Sequence, residues 1–426
     1  MRVTIIAVGS RGDVQPYVAL WLGLVAAGHA VTLATHETFR DFVTSHGLHF
    51  APMAGDPRAV LALADRWLAT GRNRHALPIA REMFRALRPM LAALLADFWR
   101  VSQGSELLIY SPVATPAWSV AERLGIPGVA AYLQPLHRTR HFPAVGVPGS
   151  VRLGGAFNLA THILTQQFAW RPIRRQVNTW RRDSLSLPPA VGYGPFARDR
   201  PTGAALPTLY AYSPLVVPKP PDWGPAIQLT GYWVLGPSQD WRPPTALEAF
   251  LGAGSPPISI GFGSMTPSNA GRLTAIALEA LAATGERGVL LGGWGALGEG
   301  ALPASVIAVR DVPHEWLFPR MRAIVHHGGA GTTGAALRGG VPSIVVPVGF
   351  DQPFWAGRVH ALGVGPRPIS RRRLTAERLA EAIRQAVRDD AMRSRAARLG
   401  LALRAERGVD VAVAEIEAIA RRGANR

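Results

Sequence analysis

The stretch His326-His327-Gly328-Gly329-Ala330-Gly331-Thr332-Thr333 follows an apolar run, Ala323-Ile324-Val325, and opens into a helix-like segment over residues 332–337. Strand, tight glycine turn and helix start in that order commit this part of the chain to an α/β layer. Small residues at such a turn let backbone N–H groups approach an anion, and the helix start adds partial positive charge. The hydroxyls of Thr332 and Thr333 and a histidine at the strand end are further donors to a phosphate. A second apolar run, residues 341–348, ends at Gly349-Phe350-Asp351-Gln352. Ligands of open α/β sheets collect at the carboxyl ends of strands, so Asp351 and Gln352 are expected in the same pocket. A carboxylate and an amide suit sugar hydroxyls, and the pair of motifs points to a nucleotide-sugar binder. Glycine packing alone would explain the first motif. The NTPase phosphate loop is excluded, because it needs Gly-Lys-Ser/Thr and Lys219 is the only lysine.

The same grammar occurs at the start of the chain. Residues 3–8 read as a strand, 9–13 as a glycine loop, 14–27 as a helix closed by Gly28, and 29–34 as a second strand. Further strands are expected at 107–110 and 127–132, with a helix at 117–124 between them. An amphipathic helix over 78–101 carries a core stripe of Met83, Leu87, Leu91, Leu94 and Phe98. A second alternating series places strands at 257–262, 288–291, 306–309, 323–326 and 343–347, followed by helix from 375 to 420. Proline, tryptophan and glycine are concentrated between 214 and 257. The resulting division is a first domain over 1–236, a Pro-rich linker over 237–256 and a second domain over 257–426, whose last helix is free to return to the first domain. The fold class is α/β, two doubly wound Rossmann-like domains facing each other across a cleft.

The chain contains no cysteine, which removes disulfides, thiolate metal sites and cysteine nucleophiles. Asp389-Asp390 lies among arginines and reads as an exposed charge pair, so no metal site is expected. The first residues have too short an apolar core for a signal peptide, and no run reaches the roughly 20 apolar residues of a membrane span; a cytoplasmic protein is expected. The net charge is +18, almost all of it arginine. Residues 137–182 hold eight arginines and no acid, interleaved with Phe157, Phe168, Trp170 and Trp180. That mixture suits an anionic membrane surface or nucleic acid. No nucleic-acid motif accompanies it, so peripheral contact with the inner membrane face is the expectation and nucleic acid is not.

In the first loop, Gly9-Ser10-Arg11-Gly12-Asp13, Asp13 stands at the helix entrance. An aspartate there has a structural reading as an N-cap, worth about 1 kcal/mol, and a functional one as a general base on the cleft floor.

Together, Gly9-Ser10-Arg11-Gly12-Asp13-Val14-Gln15-Pro16, Pro313-His314-Glu315-Trp316-Leu317-Phe318, the His326 glycine motif and Asp351-Gln352-Pro353-Phe354-Trp355 resemble the sterol 3-beta-glucosyltransferases and their bacterial relatives. These are UDP-dependent glycosyltransferases of the GT-B fold, and the resemblance covers almost the whole chain. It implies that Asp13 is the base, on a first loop formed with Ser10, Arg11 and Gly12. Plant relatives use a histidine there, oriented by an aspartate whose place here is Ser111. It implies that His327 contacts the diphosphate, that Gly331 and Thr332 lie beside the α-phosphate, and that the backbone of Gly328, Gly329 and Thr333 completes the cradle. Asp351 and Gln352 would bind sugar hydroxyls, the backbone of Val312 the uracil, and Ser264 would belong to a phosphate-side loop. His326 is expected to be packed. Ala335 stands where plant relatives hold the ribose with a glutamate. The implied activity is inverting, metal-independent transfer of a hexose, glucose first, from a UDP-sugar to a hydroxyl of a hydrophobic acceptor: sterol-like, hopanoid, polyketide or phenolic. The acceptor would lie along parts of residues 83–98 and 137–180. The alternatives are a natural-product glycosyltransferase using a dTDP-deoxysugar and a nucleotide-sugar-binding protein without transferase activity.

Overall fold

The computed structural model describes residues 1–59, 76–147, 151, 153–190, 206–238, 240–263, 270–293, 297–298 and 300–424, with backbone alone over 76–87 and at 424. The first lobe holds β1 (Arg2–Ile6), α1 (Arg11–Ala26), β2 (Ala30–His36), α2 (Arg40–Thr44), β3 (His49–Met53), α3 (Ala76–Val101), β4 (Leu107–Tyr110), α4 (Trp118–Leu124), β5 (Gly128–Tyr132), α5 (Gly154–Asp183), β6 (Thr208–Tyr210) and β7 (Ile227–Leu229). The second holds α6 (Thr245–Gly252), β8 (Ile258–Gly261), α7 (Ala270–Thr284), β9 (Gly288–Leu291), β10 (Val306–Val309), α8 (His314–Leu317), β11 (Ala323–His326), α9 (Ala330–Gly339), β12 (Ser343–Val345), α10 (Gln352–Ala361), α11 (Ala376–Arg388), α12 (Asp390–Ala405) and α13 (Gly408–Ala424).

Each lobe is built on one parallel sheet, ordered β3-β2-β1-β4-β5-β6-β7 and β10-β9-β8-β11-β12. In both, the order reverses beside the first strand of the lobe: between β1 and β4, and between β8 and β11. These are the switch points where crossing connections leave a crevice at the carboxyl ends of the strands. The first loop follows β1 and the His326 motif follows β11, so each candidate loop borders the switch point of its sheet, one from the side of the first strand and the other from the side of the fourth. This is the GT-B architecture that the sequence implied.

Parallel strands are covered on both faces, which explains their near-continuous apolar runs. Val3, Ile5, Leu107, Ile109 and Val129 pack with Tyr17, Leu20 and Leu24 of α1 on one side of the first sheet. On the other side Ile6, Leu108 and Tyr110 meet Leu94, Phe98 and Trp118. That core runs on into the second lobe through Phe354 and Trp355. The rings of Phe142 and Phe354 are 5.5 Å apart, and those of Tyr212 and Trp355 are 5.7 Å apart. The last helix crosses back: α13 packs on α1, where only a glycine at position 23 fits, since an added methyl carbon would lie 2.3 Å from Val409 Cγ1.

Three local expectations need correction. The segment read as a linker contains α6, whose Leu247 is fully buried with Val289, Val309 and Phe318 against the second sheet. Asp389 is no free charge but the N-cap of α12, accepting the Met392 N–H at 2.8 Å, while Asp390 pairs with Arg393. The tryptophans of residues 137–182 do not face outward. Trp170 and Trp180 are buried along α5, and Arg181 is fully buried in a pair with Glu122, stacked 4.3 Å from the Trp118 ring.

Candidate active site

The first loop wraps a carboxylate around its own helix start. Ser10, with extended backbone, is the N-cap of α1, and Asp13 is the third residue of the helix. Asp13 is therefore not the cap that the sequence suggested but the reciprocal member of a capping box. Its Oδ2 accepts the Ser10 backbone N–H and the Ser10 hydroxyl, each at 2.8 Å. The carboxylate folds back over Gly9, whose φ of +144° and missing side chain leave room that a methyl carbon, 2.5 Å from Oδ2, would take. Asp13 is half-buried, and burial raises its pKa above the usual aspartate value against the opposing effect of the Ser10 hydrogen bonds. Ser111, where a partner carboxylate would stand, is fully buried and accepts the Val8 N–H at 3.1 Å. Its hydroxyl ties the ends of β1 and β4 together.

The second loop is built the other way. Gly328 turns the chain at φ +89°, where a side chain would strike Val345, and Gly329 is the N-cap of α9 with no side chain to cap it. No acid lies in the first turn of α9. Gly331 is exposed, Thr332 half-buried and Thr333 fully buried. The expectation that both threonine hydroxyls face a ligand thus fails for Thr333: helix geometry turns it under the loop. His326, 1% exposed, accepts the Gly328 N–H on Nδ1 at 3.1 Å. His327 is half-buried against glycines 263 and 329, each of which would clash with its ring if it carried a side chain. Burial lowers its pKa to about 4, so at neutral pH the imidazole is uncharged and donates through one nitrogen only. Ser264 lies outside the described residues.

Asp351 and Gln352 come in on the turn into α10. The turn depends on Phe350, an aromatic residue held at φ +56° and 52% exposed. Such a conformation is costly for a bulky residue and tends to mark a functional site. Asp351 accepts the Trp355 indole N–H at 2.9 Å. Burial, and next the negative charge of Asp13, raise its pKa to about 6. The two carboxylates therefore sense each other across the cleft. Gln352 is buried, and its Oε1 accepts the Val348 N–H at 2.7 Å, an inward contact that shapes the turn.

The loops meet at the cleft. A methyl carbon on Gly331 would lie 3.7 Å from the Gly12 carbonyl. Arg11 reaches across to Asp311 at 2.9 Å, with its guanidinium 4.8 Å from the Phe42 ring. Val312, next to Asp311, is buried among Val309, Leu317 and Phe318. His314 stacks on Phe318 at 4.4 Å; burial, then Arg11 and His327, lower its pKa to about 4. His314, Phe350 and Asp311 received no separate role from the sequence, although all three lie within or beside the motifs. Ala335 is half-buried on α9 and offers no polar group for a ribose. Among the described residues, no group of three or more His, Cys, Asp or Glu is placed to hold a metal ion.

The comparisons with known proteins fall on the same two lobes. Residues 3–143 match the sequence model of the glycosyltransferase family 28 N-terminal domain, and residues 296–417 that of the erythromycin biosynthesis protein CIII-like C-terminal domain. The chain is 38% identical to a sterol 3-beta-glucosyltransferase of Aspergillus fumigatus over 98% of its own length and 30% of the relative's. It thus spans about a third of the curated relatives it matches. Among solved structures it is similar to the glycotransferase of kitacinnamycin (TM-score 0.72, 22% identity, 98% of each chain). It is also similar to the glycosyltransferase VinC in complex with dTDP (TM-score 0.66, 19% identity, 99% of this chain and 100% of that one). With both halves matched in order and two parallel-sheet lobes facing across one cleft, the chain has the GT-B fold and is similar over nearly its whole length to the sterol 3-beta-glucosyltransferases.

Proposed function

We propose that this protein is an inverting glycosyltransferase that moves a hexose, glucose in the leading case, from a UDP-sugar to a hydroxyl group of a hydrophobic acceptor. One observation carries the reading: the loop that holds Asp13 in one lobe meets the uncapped start of α9 in the other, where a methyl carbon on Gly331 would lie 3.7 Å from the Gly12 carbonyl. The diphosphate sits against the N–H groups of Gly329, Gly331 and Thr332, with His327 donating from the side. Asp351 accepts from sugar hydroxyls. The acceptor oxygen attacks the anomeric carbon from the Asp13 side, and Asp13 takes its proton. The bond from that carbon to the diphosphate breaks, and its electron pair leaves on UDP. A pKa raised by burial makes Asp13 a better base than an ordinary surface aspartate. No step calls on a divalent cation, so turnover in EDTA should equal turnover in magnesium.

Ala335 favours one second reading, a dTDP-sugar donor, because the residue lacks the carboxylate that would bind the ribose hydroxyls. The test is incubation with UDP-glucose or dTDP-glucose and a panel of sterol, polyketide and phenolic alcohols. The readouts are released nucleotide and the mass gain of one hexose. Nucleotide-sugar binding with no transfer to any alcohol, in the presence of native-source extract, would leave only a binding protein.

A further inference from the structure

We infer that the outer face of α5 is a docking surface for a bilayer of anionic phospholipid. The helix runs 30 residues from Gly154 to Asp183, and its inner face is fixed to the first lobe by Asn158, His162, Gln166, Trp170, Val177 and Trp180. Its outer face is a line of residues at helical spacing. Leu153, just before the helix, is 67% exposed and Leu164 69% exposed. Phe157, Ala160 and Phe168 lie on the same line, with Phe168 59% exposed. At 1.5 Å per residue this apolar stretch is about 22 Å long. The same line then changes chemistry without changing direction and continues as Arg171 and Arg175, with Arg174 beside them, all exposed.

These arginines form no ion pair among the described residues, unlike Arg181 and Arg182 further along the helix. Arg175 also joins Arg88 of α3, Gln176 and Thr179 around an open cavity of about 340 Å³. The Gln176 side chain ties the two helices by donating to the Arg88 carbonyl at 2.9 Å. Two guanidinium groups at one opening suit a phosphodiester. A row of apolar side chains beside unpaired arginines on a rigid helix, in a chain of net charge +18, fits the boundary between acyl chains and anionic headgroups. No helix among the described residues is long and apolar enough to cross a membrane, so the contact is peripheral. The tryptophans of this segment take no part, because they are buried.

The surface extends the proposed function, whose hydrophobic acceptor would partition into a lipid phase, yet its test is independent of that function because no nucleotide or acceptor is present. The 426-residue chain is floated with vesicles of phosphatidylcholine alone and of phosphatidylcholine with phosphatidylglycerol. Binding is expected only to the anionic vesicles and should weaken with added salt. Three double variants are compared, each checked for an unchanged melting temperature: Leu153→Gln/Leu164→Gln, which keeps the charge; Arg171→Glu/Arg175→Glu; and Arg388→Glu/Arg398→Glu, the same charge change on exposed positions of the second lobe. The first two should each bind anionic vesicles at least tenfold more weakly, and the third should bind within about twofold of the parent. Equal loss in the second and third variants would reduce the binding to diffuse charge and overturn the inference. Full binding by the leucine variant, or no vesicle binding by the parent protein, would overturn it as well.

Discussion

The two strand-to-helix loops that frame the cleft both border the switch point of their sheet, one after the first strand and one after the fourth, and treat the start of the following helix in opposite ways. In the first lobe the chain supplies its own anion: Asp13 folds back over Gly9 and accepts both Ser10 donors. In the second lobe Gly329 caps α9 with no side chain, and the first turn has no acid. A helix start that carries a resident carboxylate repels a phosphate through like charge. One left bare is ready for an external anion. Under the proposed function the same supersecondary unit yields a base in one lobe and a leaving-group receptor in the other, and the acid that makes the difference is one side chain, Asp13.

The largest expected effect comes from removing that side chain's charge. Asn at position 13 can still accept the Ser10 donors, so Asp13→Asn should fold and bind UDP like the parent. Transfer should fall by about 10³-fold, within the usual range for a general base. Single-turnover assays with saturating UDP-sugar measure it, and unchanged transfer would leave Asp13 as a capping-box residue alone. The converse substitution makes the second loop imitate the first. Gly331→Asp places a carboxylate where the diphosphate is proposed to sit, in space that is open apart from the Gly12 carbonyl. UDP affinity by calorimetry should weaken about tenfold, or ~1.4 kcal/mol. Tight UDP binding by this variant would remove α9 from the receptor.

How far these loops could be read in advance depended on how local their cause was. The strands at 107–110, 288–291, 306–309 and 323–326 stand where the apolar runs put them, because a strand buried on both faces needs little but its own side chains. The three-residue strands β6 and β7 and the Pro52-containing β3 left no such run. The buried position of Arg181 was also hidden, since its partner Glu122 is 59 residues away. In the site, positions at strand ends were legible from glycine spacing. The inward turn of Thr333, the capping-box place of Asp13 and the contact between Arg11 and Asp311 were not, because they depend on helix phase or on two lobes meeting.

A smaller effect tests whether the two carboxylates are coupled. The Asp351 pKa is raised from 3.8 to about 6, first by burial and then by Asp13. A folded-state pKa above the unfolded one means that the native protein holds this proton more tightly. The stability that it confers is full below pH 3.8 and is lost as pH rises through about 6. Melting temperature followed between these values should therefore carry a component that falls with rising pH and is absent in Asp351→Asn. In the same window, protonation should remove the negative charge of Asp351 and weaken it as an acceptor for a sugar hydroxyl, so the donor KM should rise as pH falls below about 6. In Asp13→Asn that rise should move to lower pH, because one of the two causes is gone. A transition that stays in place would show that burial alone sets it.

The smallest effect belongs to Arg11, which is odd where it stands. It is the first residue of α1, and a cation there opposes the helix dipole that Asp13 satisfies. Its charge is used by the other lobe instead, through Asp311, with the Phe42 ring beneath it. The side chains are 41% and 69% exposed, so water and salt screen the pair, and its contribution should stay at or below about 1 kcal/mol. Arg11→Ala should change the donor KM at most fivefold. A cycle with Asp311→Ala would show whether the two residues act through each other: a coupling that fades in high salt supports a bridge between the lobes. An effect of Arg11→Ala that persists without Asp311 would instead assign Arg11 to the diphosphate, and the first loop would then share in anion binding that the comparison gives wholly to the second.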